Sequence, residues 1–73
     1  MELINFDAML PCELYEWICD QKENSSAHLN QILYAALIWS ARTYRMEGKV
    51  QTALELEIIA DQTYQNLPEE LQW

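Results

Sequence analysis

The stretch Ile32-Leu33-Tyr34-Ala35-Ala36-Leu37-Ile38-Trp39 runs through eight apolar residues without a polar break. On a 3.6-residue period, eight consecutive positions point all around a helix axis, so this cannot be one face of an amphipathic surface helix. It must be covered on several sides. The flanks read as helix: Ser25 or Ser26 can cap the start, Leu29 and Tyr44 extend the apolar register, and Gly48 offers a left-handed stop. A central helix is therefore expected over about 26–47, with the rest of the chain as its packaging.

Working outward, Pro11 suits the first turn of a helix, where a missing N–H is no loss. A first helix over 11–21 places Leu10, Leu14, Trp17 and Ile18 on one stripe, with Glu13, Glu16 and Asp20 on the other side. Before it, Leu3, Ile4, Phe6 and Met9 read as an extended arm or an irregular turn. Phe6 and Met9 are expected against the core, and Asp7 is a possible helix cap. A polar link over 22–26 has the length usual between antiparallel helices. After Gly48 and Lys49, a third helix over 50–66 carries Val50, Ala53, Leu56, Ala60, Thr63, Tyr64 and Leu67 on one side. Leu54 and Ile58 widen its apolar face beyond what one neighbour needs. Leu67-Pro68 ends it, because the residue before proline is pushed out of the helical region. A short turn over 69–72 can follow, anchored by Leu71 and Trp73. One Gly and two Pro leave little turn chemistry for a sheet. The expected fold is one all-α, three-helix bundle-like domain over 1–73.

The segment from Leu37 to Pro68 resembles a single tetratricopeptide (TPR) helical hairpin. Ala41, Tyr44, Gly48, Ala53 and Ala60 stand at the spacings of that family's small, aromatic, turn, small and small residues. The match covers under half the chain and departs from the pattern at Leu37, Ser40, Glu57 and Pro68. The resemblance implies a hairpin whose alanines let two helices approach closely. TPR arrays need about three repeats to bury their faces, so here the N-terminal helix or a second copy must do the covering.

The formal charge of −8 is unevenly spread, with −5 in residues 1–24, −5 in 50–73, and +2 between them from Arg42, Arg45 and Lys49 against Glu47. An acidic surface argues against direct nucleic-acid binding, whose affinity comes from counterions released around Lys and Arg. The apolar run is far short of the ~20 residues of a membrane span, so no membrane is expected. No secretory signal pattern is visible at the start, and a cytoplasmic location with reduced Cys12 and Cys19 is expected. The Asn24-Ser25-Ser26 glycosylation pattern then has no bearing.

Chemistry is sparse. Cys12 and Cys19 stand seven apart, about 10 Å along one helix, too far for a disulfide or a shared zinc. They read as small buried hydrophobes. His28 could meet a thiol across the first two helices, but there is no orienting group and no Gly-rich oxyanion loop. Paired carboxylates such as Glu13 with Glu16 and Glu69 with Glu70 read as solvated faces. No enzyme, cofactor or metal is expected.

The aromatics Trp17, Tyr34, Trp39, Tyr44, Tyr64 and Trp73 exceed what so short a chain comfortably encloses, since it buries only about 60% of its unfolded surface. The surplus suggests an apolar patch for a protein partner or a homodimer. The expected function is a non-enzymatic interaction module. Tyr34, Trp39, Leu54, Ile58 and Trp73 are its candidate contacts, with Arg42, Arg45 and Lys49 as charged orienters between the second and third helices. The alternative is an acidic inhibitor imitating nucleic acid, which needs the acids of helices one and three to form one surface.

Overall fold

The computed structural model describes residues 3–21, 23 and 27–73. The fold is all-α: helices α1 (Pro11–Gln21), α2 (Leu29–Met46) and α3 (Val50–Gln65), with short 3-10 turns at Phe6–Ala8 and Glu69–Leu71. There is no strand among the described residues.

Helix α2 is the hub. Both α3 and α1 pack on it, and the N-terminal turn packs on it as well. Its N-terminus lies three residues later than expected. His28 is the cap: its Nδ1 accepts from the Asn30 N–H at 3.0 Å, while the Gln31 side chain accepts from the His28 N–H at 3.0 Å. That reciprocal pair satisfies two N–H groups that otherwise have no helical partner. The expected caps Ser25 and Ser26 lie outside the described residues, as do Met1, Glu2, Lys22 and Asn24.

The α2–α3 turn follows from Gly48, whose φ is +85°, a region that disfavours residues with a Cβ. The Lys49 N–H donates to the Tyr44 carbonyl and the Gly48 N–H to that of Arg45, which closes the last turn of α2 and reverses the chain. Along the hairpin Ala41, Ala53 and Ala60 are buried, so the two helices meet through small side chains. Asn30 Nδ2 donates to the Asn66 carbonyl at the far end, at 3.3 Å.

The core centres on Phe6, Leu14, Tyr34, Ala35, Ile38 and Ala60. Phe6 stands edge-on to Trp17, with centroids 4.8 Å apart, and to Trp73 at 5.5 Å. Trp73 in turn meets Tyr34 at 4.9 Å and Tyr64 at 4.6 Å. Edge-to-face contacts of this kind add to simple area burial. The expected surplus of aromatics is therefore absorbed largely within the chain, because five rings stack into one cluster rather than each needing its own cavity.

Several expectations from periodicity need correction. Leu10 precedes α1 and is 61% exposed, so it is not part of the buried stripe. Val50 is exposed as well. Cys12 is exposed and Cys19 half-buried, so neither is a core hydrophobe. Asp7 caps no helix: Asn5 accepts from the Asp7 N–H and caps the first turn.

A candidate protein-binding groove between α2 and α3

The Asp7 carboxylate ties three elements together. Its Oδ1 accepts from the Tyr34 hydroxyl at 2.6 Å and its Oδ2 from the Trp73 indole N–H at 3.1 Å. The Arg42 guanidinium donates to the backbone carbonyls of Asp7 and Met9. A planar fork with several donors suits two neighbouring carbonyls better than an ammonium would. Tyr64 donates its hydroxyl to the Trp73 carbonyl, and Gln72 Nε2 donates to the Leu67 carbonyl, which fixes the C-terminal turn on the core.

This arrangement perturbs Tyr34. Burial first, then the hydrogen bond and negative charge of Asp7, push its phenol well above the ordinary tyrosine range; the charge of Asp61 adds to this and that of Arg42 opposes it. A tyrosinate there would lose its solvation and face a carboxylate.

Beside the clasp lies a groove of about 390 Å³ between the N-terminal turn, α2 and α3. Ile38, Ala41, Leu54 and Ile58 give it an apolar lining, and Asp7, Arg42, Glu57 and Asp61 its charged rim. Leu54 and Ile58, one helical turn apart, are 44% and 60% exposed. Arg45 bridges Glu57 at 2.8 Å, at the surface. Lys49 approaches Glu47 and lies 5.6 Å from the Tyr44 ring centroid.

No family model, curated protein or solved structure matches this chain. The reading of the site therefore stands on its geometry.

Four of the candidate residues, Tyr34, Arg42, Leu54 and Ile58, meet in this one groove, and Arg45 reaches its edge through Glu57. Their roles differ. Tyr34 is only 5% exposed and belongs to the core, so it supports the groove rather than greeting a ligand. Arg42 holds backbone carbonyls instead of orienting a partner. Trp39 faces elsewhere, against Tyr15 of α1 with centroids 5.6 Å apart. Trp73 is pinned on the core through Asp7, Tyr34 and Tyr64. In the sequence Asp7 reads as a possible helix cap and Asp61 carries no signal, since an acid in an irregular turn and another on a helix form no motif. Among the described residues no three His, Cys, Asp or Glu side chains gather into a metal-holding cluster, and no helix is long and apolar enough to cross a membrane.

Proposed function

We propose that this protein is a small, non-enzymatic interaction module whose groove between α2 and α3 receives an apolar segment of a protein partner. The observation that carries this reading is the exposed pair Leu54 and Ile58 on an apolar-lined groove with three carboxylates at its rim. Two large aliphatic side chains one turn apart give the groove wall an apolar surface against which the anchors of a bound helix can pack. Asp7, Glu57 and Asp61 outnumber Arg42 and the Arg45 that bridges Glu57, so the rim is net negative. It favours a partner segment whose apolar residues are flanked by Lys or Arg. The buried alanines and Gly48 support a TPR-like hairpin as its scaffold. The free thiols fit a reducing, cytoplasmic setting, and the reading requires no cofactor or metal.

The test is affinity capture from the native host, identification of the bound protein, and repetition with Leu54→Glu and Ile58→Glu. Both variants should keep the far-ultraviolet helical signal and lose the partner. Retention of the partner by both variants would overturn the groove. Capture that collapses between low and moderate salt would instead favour the acidic imitator of nucleic acid, whose attraction is purely ionic.

A further inference from the structure

Leu54, Ile58 and Asp61 stand at i, i+4 and i+7 on α3, so on a 3.6-residue period they form one row, and all three line the groove. The row runs from two exposed aliphatic side chains to an exposed carboxylate. Asp7 meets the same end of the groove from the N-terminal turn. It accepts the Tyr34 hydrogen bond, and the charge of Asp61 acts on that same phenol. The chain does not neutralise this pair. Among the described residues Arg42 donates to backbone carbonyls, Arg45 pairs with Glu57 and Lys49 approaches Glu47, while Asp61 makes no ion pair. Both hydrogen bonds to the Asp7 carboxylate come from neutral donors, Tyr34 and Trp73. With Arg42 set against one of the two acids and Arg45 against Glu57, one negative charge is left over, enough to attract one cation.

We infer that the groove receives one lysine or arginine side chain of the partner, its methylene stem along Leu54 and Ile58 and its cation beside Asp61, with Asp7 on the far side. Such a side chain is built in the order that the row presents: apolar stem first, charge at the tip. Length agrees. Ile58 and Asp61 are three residues apart, about 4.5 Å along the helix axis, which three or four methylenes cover. A wholly aliphatic side chain fits less well, because its end would strip water from two carboxylates and offer them nothing in return. An acidic one is repelled. This occupant presupposes the interaction function proposed above, and it places the partner's basic residue inside the groove rather than beyond its rim.

The experiment titrates n-hexylguanidinium into the full chain and follows amide and indole N–H chemical shifts by NMR, with n-hexanol and n-hexanoate as neutral and anionic probes of the same stem. The cation should shift the amides of Leu54, Ile58 and Asp61 saturably and bind about fivefold more tightly than hexanol, the upper range for an exposed ion pair. The Trp73 indole N–H should move with them, since its acceptor Asp7 borders the bound cation. Asp61→Asn changes an exposed side chain without altering its shape, so the variant should keep its helical signal and lose most of the preference for the cation. Equal binding of hexylguanidinium and hexanol, undiminished affinity in Asp61→Asn, or shifts elsewhere on the acidic surface with none in the groove would each overturn the inference. None of these results removes the groove as a partner site, which is decided separately by capture with Leu54→Glu and Ile58→Glu.

Discussion

Trp73 donates its indole N–H to Oδ2 of Asp7 over 3.1 Å, joining residues 66 positions apart in the chain. The other carboxylate oxygen takes the Tyr34 hydroxyl, so a single side chain fastens both chain ends to the middle of α2. Asp7→Ala leaves a phenol and an indole without their acceptor. The expected cost is about 1–3 kcal/mol, because groups that lose a charged acceptor are rarely re-solvated fully. Thermal unfolding followed by circular dichroism should register it, and tryptophan emission should shift to the red as Trp73 loosens. Unchanged melting and emission would mean that ring packing alone holds the tail.

Alkaline pH should act on the same clasp. The neutral phenol of Tyr34 is favoured in the folded state, so its folded pKa stands above its unfolded value. That contribution is fully present below about pH 10 and is lost as the pH rises past the unfolded tyrosine range. Unfolding free energy measured across that range should fall, and the fall should be shallower in Tyr34→Phe, which lacks the ionisable group. Equal slopes in the two proteins would count against burial as the cause.

His28 begins α2 through its Nδ1 rather than a hydroxyl or carboxylate. His28→Ala should cost about 0.5–2 kcal/mol, the range for losing an N-terminal cap, and His28→Asp should restore most of it. Chemical denaturation of the three proteins provides the comparison. If Ala and His prove equal, the first turn is secured by packing.

Phe6 is fully buried although it sits in a three-residue turn. Phe6→Ala should cost about 3–5 kcal/mol by lost transfer energy and a residual cavity. A core of this size supplies little more than that in total. The expected outcome is loss of cooperative melting and collapse of proton chemical-shift dispersion, even though Phe6 belongs to none of the three helices. A sharp transition near the wild-type temperature would contradict the central place given to it.

The three-helix class was legible because strong signals agreed: an unbroken apolar run, Pro11 at a helix start, Gly48 at a reversal and Pro68 beyond a helix end. What stayed hidden has physical reasons. An uninterrupted run has no polar side to show direction, so Tyr34 and Trp39 look equivalent in sequence. One is buried and the other stands at the α1 edge because of where the neighbouring helices attach. Phe6 is expected against the core and is buried there, but the acceptor role of Asp7 lies in a turn too short for any period to show. Imidazole is an uncommon cap, so in sequence the serines upstream are a stronger cap signal than His28. Of the groove, Leu54 and Ile58 were visible as apolar residues off the main stripe, whereas Asp61 resembled any other solvated acid.

Gly48 has a positive φ, and a Cβ built on it meets nothing within 4 Å. The obstacle to a side chain there is thus handedness, not space. L-alanine would strain the backbone, while its mirror image is at ease in that conformation and narrows the freedom of the unfolded chain. A chain of 73 residues is within reach of chemical synthesis, and D-alanine at position 48 should yield a tighter hairpin with the same shape.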